Sequence, residues 1–544
     1  MDRPSTRTLV VLLTAGLAIG AVWKYFQNFP QVWDIHLWDE TLYMWAGLDP
    51  AATLPGPYEA SGLYSMFYRL LGRLIADPVD LYHWGGLVVV GSALGALFLT
   101  LLAVSRLPAV AVIGTTLFLV SGAAMSWPRV TLGALAVIGL WVAAAHRLPL
   151  GSKLATATLA AFLGSFIRPE FSLSFVLLLP AALAVPLWER LRHRRSPGIW
   201  WALPLGLVLL LSVLWMVPLP QGGGRAFFAF AQHYALHTVT KQGLAIDPGI
   251  EWKTFTDAAF PGATSLAGAM LANPGAFATF LLANLVGTGE AFANFFFHHF
   301  VGQSWGSGLP RRMAATVLFG VAAAAVLGCR LAALRHGWSE RNRDLATGAI
   351  LLLFAFPVVL SCVLIYPREH YLVTLLFVAL VLMGLLTGAA GRATGPVFWL
   401  GPVVALAAVV LTPVRPPEPQ PTLAVIQALR QAKPVAIGAM AELDGRWCAY
   451  LDPPCRFVGL DRWSGTPPLP ELMTAEKADA LMISPRLLSI PRFAGDPWLA
   501  GVLADPTAAG FRAVPLPHGH LLLVGGADRV AQPGFAVTGQ HDSR

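Results

Sequence analysis

A chain of 544 residues that is 56% hydrophobic and only 12% charged, with a mean hydropathy of +0.63, lacks the polar surface of a soluble protein, whose domains carry about 25% charged residues. The formal net charge of +8 does not point to nucleic acid, because much of the excess lies in short loops, where basic residues fix membrane orientation. Composition therefore excludes a soluble enzyme and a nucleic-acid-binding protein, and predicts an α-helical polytopic membrane protein.

Long runs almost free of charge recur from Thr8 to Thr412. A hydrocarbon core about 30 Å thick needs about 20 apolar residues per helix. That rule predicts eleven spans, near 8–26, 84–104, 108–126, 129–145, 152–167, 171–188, 200–218, 313–334, 346–366, 369–388 and 396–412. The first follows Arg3 and Arg7, but no small-x-small cleavage site closes it before Trp23, Lys24 and Tyr25, so it reads as a retained span. Pro180, Pro204 and Pro357 fall inside spans, where neighbouring helices can re-satisfy the freed carbonyls.

The segment 276–301, AFATFLLANLVGTGEAFANFFFHHFV, is long enough to cross but carries Asn284, Gly287, Thr288, Gly289, Glu290, Asn294, His298 and His299. If it does not cross, the basic loops at Arg147/Lys153, 188–195, 335–343 and Arg392 all share the side of the N-terminus, as the positive-inside rule demands. If it crosses, the last two move outside. Arg311 and Arg312 stay outside in the first arrangement. A re-entrant or interfacial pair of helices is therefore expected here. The N-terminus is then cytoplasmic, in a cell inner (plasma) membrane. The long segments, outer loops 27–83 and 219–312 and the tail, share the exterior, which is the periplasm in a Gram-negative cell. Two domains follow, a transmembrane domain over 1–412 and an extracytoplasmic one over 413–544.

The tail opens with TPVRPPEPQPT, an extended, proline-rich linker. TLAVIQALRQ then has helical periodicity, whereas PVAIGAM, RFVGL, ADALMIS, FRAVPL and HLLLVGG are strand-like. Alternating elements predict a small α/β domain. Its twelve basic and twelve acidic residues leave no footprint for a polyanion. Cys329 and Cys362 fall in spans and read as small apolar packers. Cys448 and Cys455, in CAYLDPPC, can form a disulfide in an oxidising exterior. Zinc is the rival, although the spacing fits no common finger and no second Cys/His pair follows.

The same topology brings three polar constellations to the outer surface: Asp39-Glu40 with Tyr43, Arg168 and Glu170 in IRPEF, and Arg368 with His370 in YPREHYL. Ionisable groups at membrane depth are expensive and tend to face a cavity. The plainer reading of either arginine is an interfacial anchor. Arginines suit phosphate and carboxylates suit proton transfer, so three such groups on one side read as a site. SMFYRLLGRLI (65–75) spaces Arg69 and Arg73 four apart, on one face of an expected interfacial amphipathic helix. They serve there either as anchors or as contacts for phosphate headgroups.

An Asp-Glu-x-x-Tyr string early in the first outer loop, after one span, resembles the GT-C superfamily of membrane glycosyltransferases. The nearest branches are the lipid A aminoarabinose transferases, the bacterial galacturonosyl transferases and the protein O-mannosyltransferases. The likeness extends to the whole architecture of N-terminal span, long outer loop, helical bundle and outer C-terminal domain. It implies an inverting glycosyltransferase of the cell envelope that takes a sugar from a polyprenyl-phosphate donor. The acceptor would be a lipid, a glycan or a protein. By resemblance Asp39 takes the acid/base position with Glu40 beside it, and Arg168, Arg368 and His370 suit the departing lipid phosphate. PREHY departs from the commoner arginine-tyrosine arrangement of these branches, and eleven spans is fewer than several members have.

Other signals are weaker. QGGGR (221–225) lacks the strand, spacing and lysine of a nucleotide loop and reads as a turn. His298 and His299 are adjacent and point to different helix faces. His233 and His237, at i and i+4, could share a ligand, but no H-E-x-x-H pattern surrounds them. No metal-ligand set and no cofactor is assigned, and a requirement for a divalent metal stays open. The rival function is a polytopic lipid or glycan transporter or flippase, which should show internal repeats and helices broken near the midplane; no repeat is evident. A non-catalytic assembly or receptor protein, and within the enzymes an oligosaccharide ligase or a phosphoglycan-modifying transferase, are the remaining alternatives.

Overall fold

In lipid a single apolar run can satisfy all of its backbone polar groups only as a helix, and the chain follows that rule. The computed structural model describes residues 6–49, 62–193, 199–215, 224–298, 338–388, 396–432, 437–461, 463 and 466–525. Helices before the tail are α1 (Thr6–Tyr25), α2 (Asp39–Leu48), α3 (Gly62–Leu71), α4 (Pro78–Ser105), α5 (Pro108–Val120), α6 (Val130–Ala145), α7 (Leu150–Ser165) and α8 (Phe171–His193). They continue as α9 (Ile199–Trp215), α10 (Gly224–Gln242), α11 (Trp252–Ala259), α12 (Leu266–Ala272), α13 (Pro274–His298), α14 (Trp338–Leu364), α15 (Glu369–Gly388) and α16 (Gly401–Leu411).

Among the described residues, α1, α4, α8, α13, α14 and α15 contain stretches long and apolar enough to cross a membrane, and α5, α6, α9 and α16 are shorter apolar helices. The protein is a mostly helical, multi-span membrane protein. The expected span 313–334, with Arg311, Arg312, His299 and Arg392, lies outside the described residues.

Packing of the helices follows from small residues at their crossings. α4 lies against α5, α6 and α15, and α7 is enclosed by α6, α8, α9 and α14. At Gly139 an added Cβ would come within 3.0 Å of the Ala96 Cβ and the Phe377 ring, so glycine lets α6 close on its neighbours. Thr100 Oγ1 donates to the Gly139 carbonyl at 2.6 Å in the same crossing.

Two expectations fail at the level of elements. Residues 274–298 form one continuous helix, α13, rather than a re-entrant or interfacial pair. Its glycines lie within the helix without breaking it, because α14 and α15 pack along it. Arg69 and Arg73 do not share a helical face: α3 ends at Leu71, Gly72 carries the chain into a turn, and Arg73 lies beyond it. A side chain at Gly72 would press on the tip of the Leu48 side chain.

The chain divides into two compact units. One comprises Met1–Val32, Tyr43–Leu244 and Glu251–Pro417; the other comprises Trp33–Leu42, Ala245–Ile250 and Glu418–Arg544. The second unit is built on strands β1 (Ala439–Glu442), β2 (Arg456–Gly459), β3 (Ala480–Ile483), β4 (Phe511–Pro515) and β5 (Leu521–Gly525). Their order is β2-β1-β3-β5-β4, with β1 parallel to β2 and β3, and the β3–β5 and β5–β4 pairs antiparallel. This is the α/β tail in the form of a mixed sheet. β1 and β3 are buried along their whole length, as strands covered on both faces must be. Helices α17 (Pro421–Gln431), α18 (Leu469–Ala475), α19 (Pro485–Ser489), α20 (Pro491–Ala494) and α21 (Pro497–Ala504) complete it. Ala441, Leu481, Ile483, Phe493 and Leu523 form its core, joined by Ile250 from the short inserted segment.

Candidate functional site

Asp39 and Glu40 occupy the first turn of α2, where carboxylates are favoured by the helix dipole. That stabilisation is the plain role open to both. Their surroundings separate them. Glu40 is fully buried, whereas Asp39 is partly exposed and its carboxylate has no hydrogen-bond or ion-pair partner among the described residues. An enclosed acid beside an open one suits one group to hold and the other to react.

The segment carrying this turn is built into the second unit. The Asp34 carboxylate accepts from the backbone N–H groups of Thr422 and Leu423 at 3.0 and 3.1 Å, capping the start of α17. Gln420 Nε2 donates to the Trp33 carbonyl at 3.0 Å, and the Arg446 N–H to the Leu37 carbonyl at 3.0 Å. Gly445, at φ 118°, allows that approach, because a side chain there would collide with Leu37. Further along α2, Tyr43 is buried with its ring edge-on to Tyr64 of α3, centroids 5.5 Å apart. A side chain on Gly47 would strike the Ser65 carbonyl, so α2 and α3 cross there.

In the first unit the other two constellations meet. Arg168, buried in the turn between α7 and α8, donates to the Glu170 carboxylate and lies 5.4 Å over the Tyr371 ring. In the turn between α14 and α15, the Arg368 N–H donates to the Tyr366 carbonyl at 2.9 Å, and the Arg368 carbonyl accepts from Tyr371 and Leu372. His370 is buried, with its ring 4.3 Å from that of Tyr371. α10 and α13 close the cluster. His233 stacks on Tyr366 at 4.9 Å with ring planes 5° apart, and Asn284 Nδ2 donates to the carbonyls of Val363 and Ile365 at 3.1 Å.

Electrostatics distinguish the two arginines. Arg168 already faces a carboxylate, whereas the Arg368 guanidinium has no ion-pair partner among the described residues. Its charge is felt by His233, whose pKa falls to about 3, chiefly through burial and then through Arg368. His233 is therefore neutral at physiological pH. Neither of its ring nitrogens has a hydrogen-bond partner among the described residues. His237, one turn on, is also lowered by burial and by Lys241. Among the described residues no group of three or more His, Cys, Asp or Glu is placed to hold a metal.

Cys448 and Cys455 are joined in a disulfide, with Cα atoms 4.7 Å apart. Arg69 and Arg73 are exposed, outside both clusters. Sequence reasoning missed Asn284, Tyr366 and His233 as partners of the 365–371 turn; only the polarity of Asn284 in an apolar run hinted at it. It also missed Arg129, which is buried at the start of α6 and donates to the Tyr82 carbonyl at 3.0 Å, with its guanidinium 4.4 Å over the Tyr82 ring. A side chain on Gly86 would collide with that guanidinium.

No family model matches the sequence, and no curated protein matches it. Among solved structures the chain is similar to the crystal structure of ArnT from Cupriavidus metallidurans bound to undecaprenyl phosphate. The TM-score is 0.37 and the identity 14%, over 97% of this chain and 100% of that one.

Proposed function

We propose that this membrane protein is an inverting glycosyltransferase that moves a sugar from a polyprenyl-phosphate donor to an acceptor on the outer face of the cell inner membrane. The observation that carries the reading is the unequal acid pair of α2: Glu40 enclosed, and Asp39 open and without a partner among the described residues. A helix-stabilising pair has no need of that difference. The D-E-x-x-Y string at this place after the first apolar helix adds the resemblance to the GT-C enzymes.

In this chemistry the acceptor oxygen attacks the anomeric carbon while the bond from that carbon to the phosphate oxygen breaks. Asp39 takes the acceptor proton or orients the acceptor, and Glu40 fixes its neighbourhood. The leaving group is an anion, and a preorganised cation lowers the barrier to its departure. Arg368 suits that task better than Arg168, whose charge Glu170 already answers. His370, Tyr43 and Glu170 would line the substrates.

Asp39→Asn keeps size and removes basicity. With purified full-length protein and a panel of prenyl-phosphate sugars, it should cut turnover about 10²–10⁴-fold if Asp39 is the base, with donor binding retained. Glu40→Gln should chiefly weaken binding. A native rate in folded Asp39→Asn protein would remove Asp39 from the mechanism. Mass spectrometry of envelope lipids and glycans from a deletion strain would identify the acceptor.

A further inference from the structure

A buried hydroxyl pair joins the first turn of α2 to the second unit's 3₁₀ turn. Thr41 Oγ1 lies 2.7 Å from the His36 carbonyl and 2.8 Å from the Tyr450 hydroxyl. A hydroxyl has one proton. A carbonyl can only accept, so the Thr41 proton goes to His36, and Tyr450 must be the donor to Thr41. The direction of that bond is thereby fixed, and both residues are buried, at 0% and 1% exposure.

Tyr450 is itself immobilised. It ends the short 3₁₀ turn Trp447–Tyr450, its carbonyl accepts from Arg430 Nε at 2.8 Å, and the Cys448–Cys455 bond brackets it. Residues two apart on a helix are separated by about 200° around its axis. Drawing Thr41 into the domain therefore turns Asp39 away from the domain's interior, consistent with the partial exposure of Asp39.

We propose that Tyr450 is a positioning residue: through Thr41 it sets the rotation of the α2 first turn, and so the direction of Asp39. The extracytoplasmic tail is on this view part of the catalytic apparatus, and its disulfide keeps the positioning turn closed. This rests on the reading of Asp39 given above.

The test uses full-length protein in lipid nanodiscs. Tyr450→Phe removes only the donor, and its kcat should fall about 5- to 10-fold, the rate equivalent of one hydrogen bond. KM should change less than about twofold, because an interaction lost from the transition state alone lowers kcat. Thr41→Ser should keep the native rate. Thr41→Val, which also loses the bond to the His36 carbonyl, should fall at least as far as Tyr450→Phe, and adding Tyr450→Phe to it should bring no further loss. Hydrogen exchange gives a readout that needs no activity: the amides of 39–42 should exchange faster in Tyr450→Phe, with those of β1 and β3 unchanged. Native exchange over 39–42 together with native kcat in Tyr450→Phe would overturn the proposal, as would equal loosening of the whole domain. If native protein transfers no sugar, or Asp39→Asn protein keeps its rate, the glycosyl-transfer reading fails separately, while the exchange result still decides whether Tyr450 holds the turn.

Discussion

Glu442 ends β1 with its side chain fully buried. One carboxyl oxygen accepts the Trp447 N–H at 3.1 Å, and the other has no hydrogen-bond partner among the described residues. Burial raises its pKa well above the ordinary glutamate value of 4.5, against the smaller lowering effects of the Trp447 N–H and Arg446. The group stays protonated in the folded domain at pH values where the unfolded chain has released its proton. Its contribution to stability is therefore complete below pH 4.5 and lost as pH rises toward the folded value. Hydrogen-exchange protection of β1 and β3 should fall as pH rises above about 4.5 in native protein after correction for intrinsic exchange, and Glu442→Gln should flatten that decline. Equal slopes in the two proteins would show the carboxyl ionised throughout. Nothing in AMAELDG marks Glu442 as buried, because a glutamate before Leu-Asp-Gly reads equally well as the exposed end of a strand. The Asp39-Glu40 pair was visible because its signal is local, a string of five residues following an apolar run.

At the scale of elements, local pattern was again what the sequence could show. Four of the short apolar runs of the tail hold β2 to β5, the first, PVAIGAM, overlaps β1 only at Ala439 and Met440, and the periodicity of TLAVIQALRQ became α17. The capture of two distant segments was invisible, since it rests on pairings such as Asp34 with Thr422 and Asp247 with Arg486, 388 and 239 residues apart. Arg486 donates to Asp247 through two nitrogens at 2.8 and 3.0 Å and meets Asp444 at 3.4 Å, so three stretches of chain converge on one guanidinium. α13 was misjudged because its polar residues were counted as interruptions, although a helix packed against α14 and α15 can direct Asn284 inward. The disulfide is an element-scale staple. Its residues are seven apart in sequence, and closing so short a loop constrains the unfolded chain by about 2–3 kcal/mol. Replacing both cysteines with serine should lower the stability of the tail by that order, read as the urea midpoint for proteolysis within 438–525, with the helical part unaffected. An unchanged midpoint would show the bond is not stabilising.

For the whole molecule, three sets of contacts within the helical unit constrain how often the chain crosses. Lys24 Nζ donates to the carbonyls of Val409 and Val410, and the Arg415 N–H to that of Tyr25, so the ends of α1 and α16 lie together. Arg168 sits over Tyr371, so the α7–α8 and α14–α15 turns share an end of the bundle. At the other ends of these helices, His146 meets Asp344 at 3.5 Å, and Lys153 donates to Thr347 and to the Arg343 carbonyl. If α1 and α4 to α9 each cross once, the chain leaves α9 at the end of the α7–α8 turn and must begin α14 at the opposite end. The chain between α9 and α14 then has to change sides of the membrane. This requirement reaches the same sidedness as the charge bias around Arg147, Lys153, Arg190 and Arg343, and does so without deciding which segment crosses. The orientation we propose rests on that charge bias and puts those basic ends in the cytoplasm and the tail outside. In a background with Cys329 and Cys362 replaced by serine, Ser339→Cys should resist a membrane-impermeant thiol reagent in intact cells. Thr422→Cys should react once the outer membrane is made permeable. Reaction at both positions would put the start of α14 on the same side as the tail, and neither the contacts across the bundle nor the shared outer face of the acid pair and the arginines would survive that result.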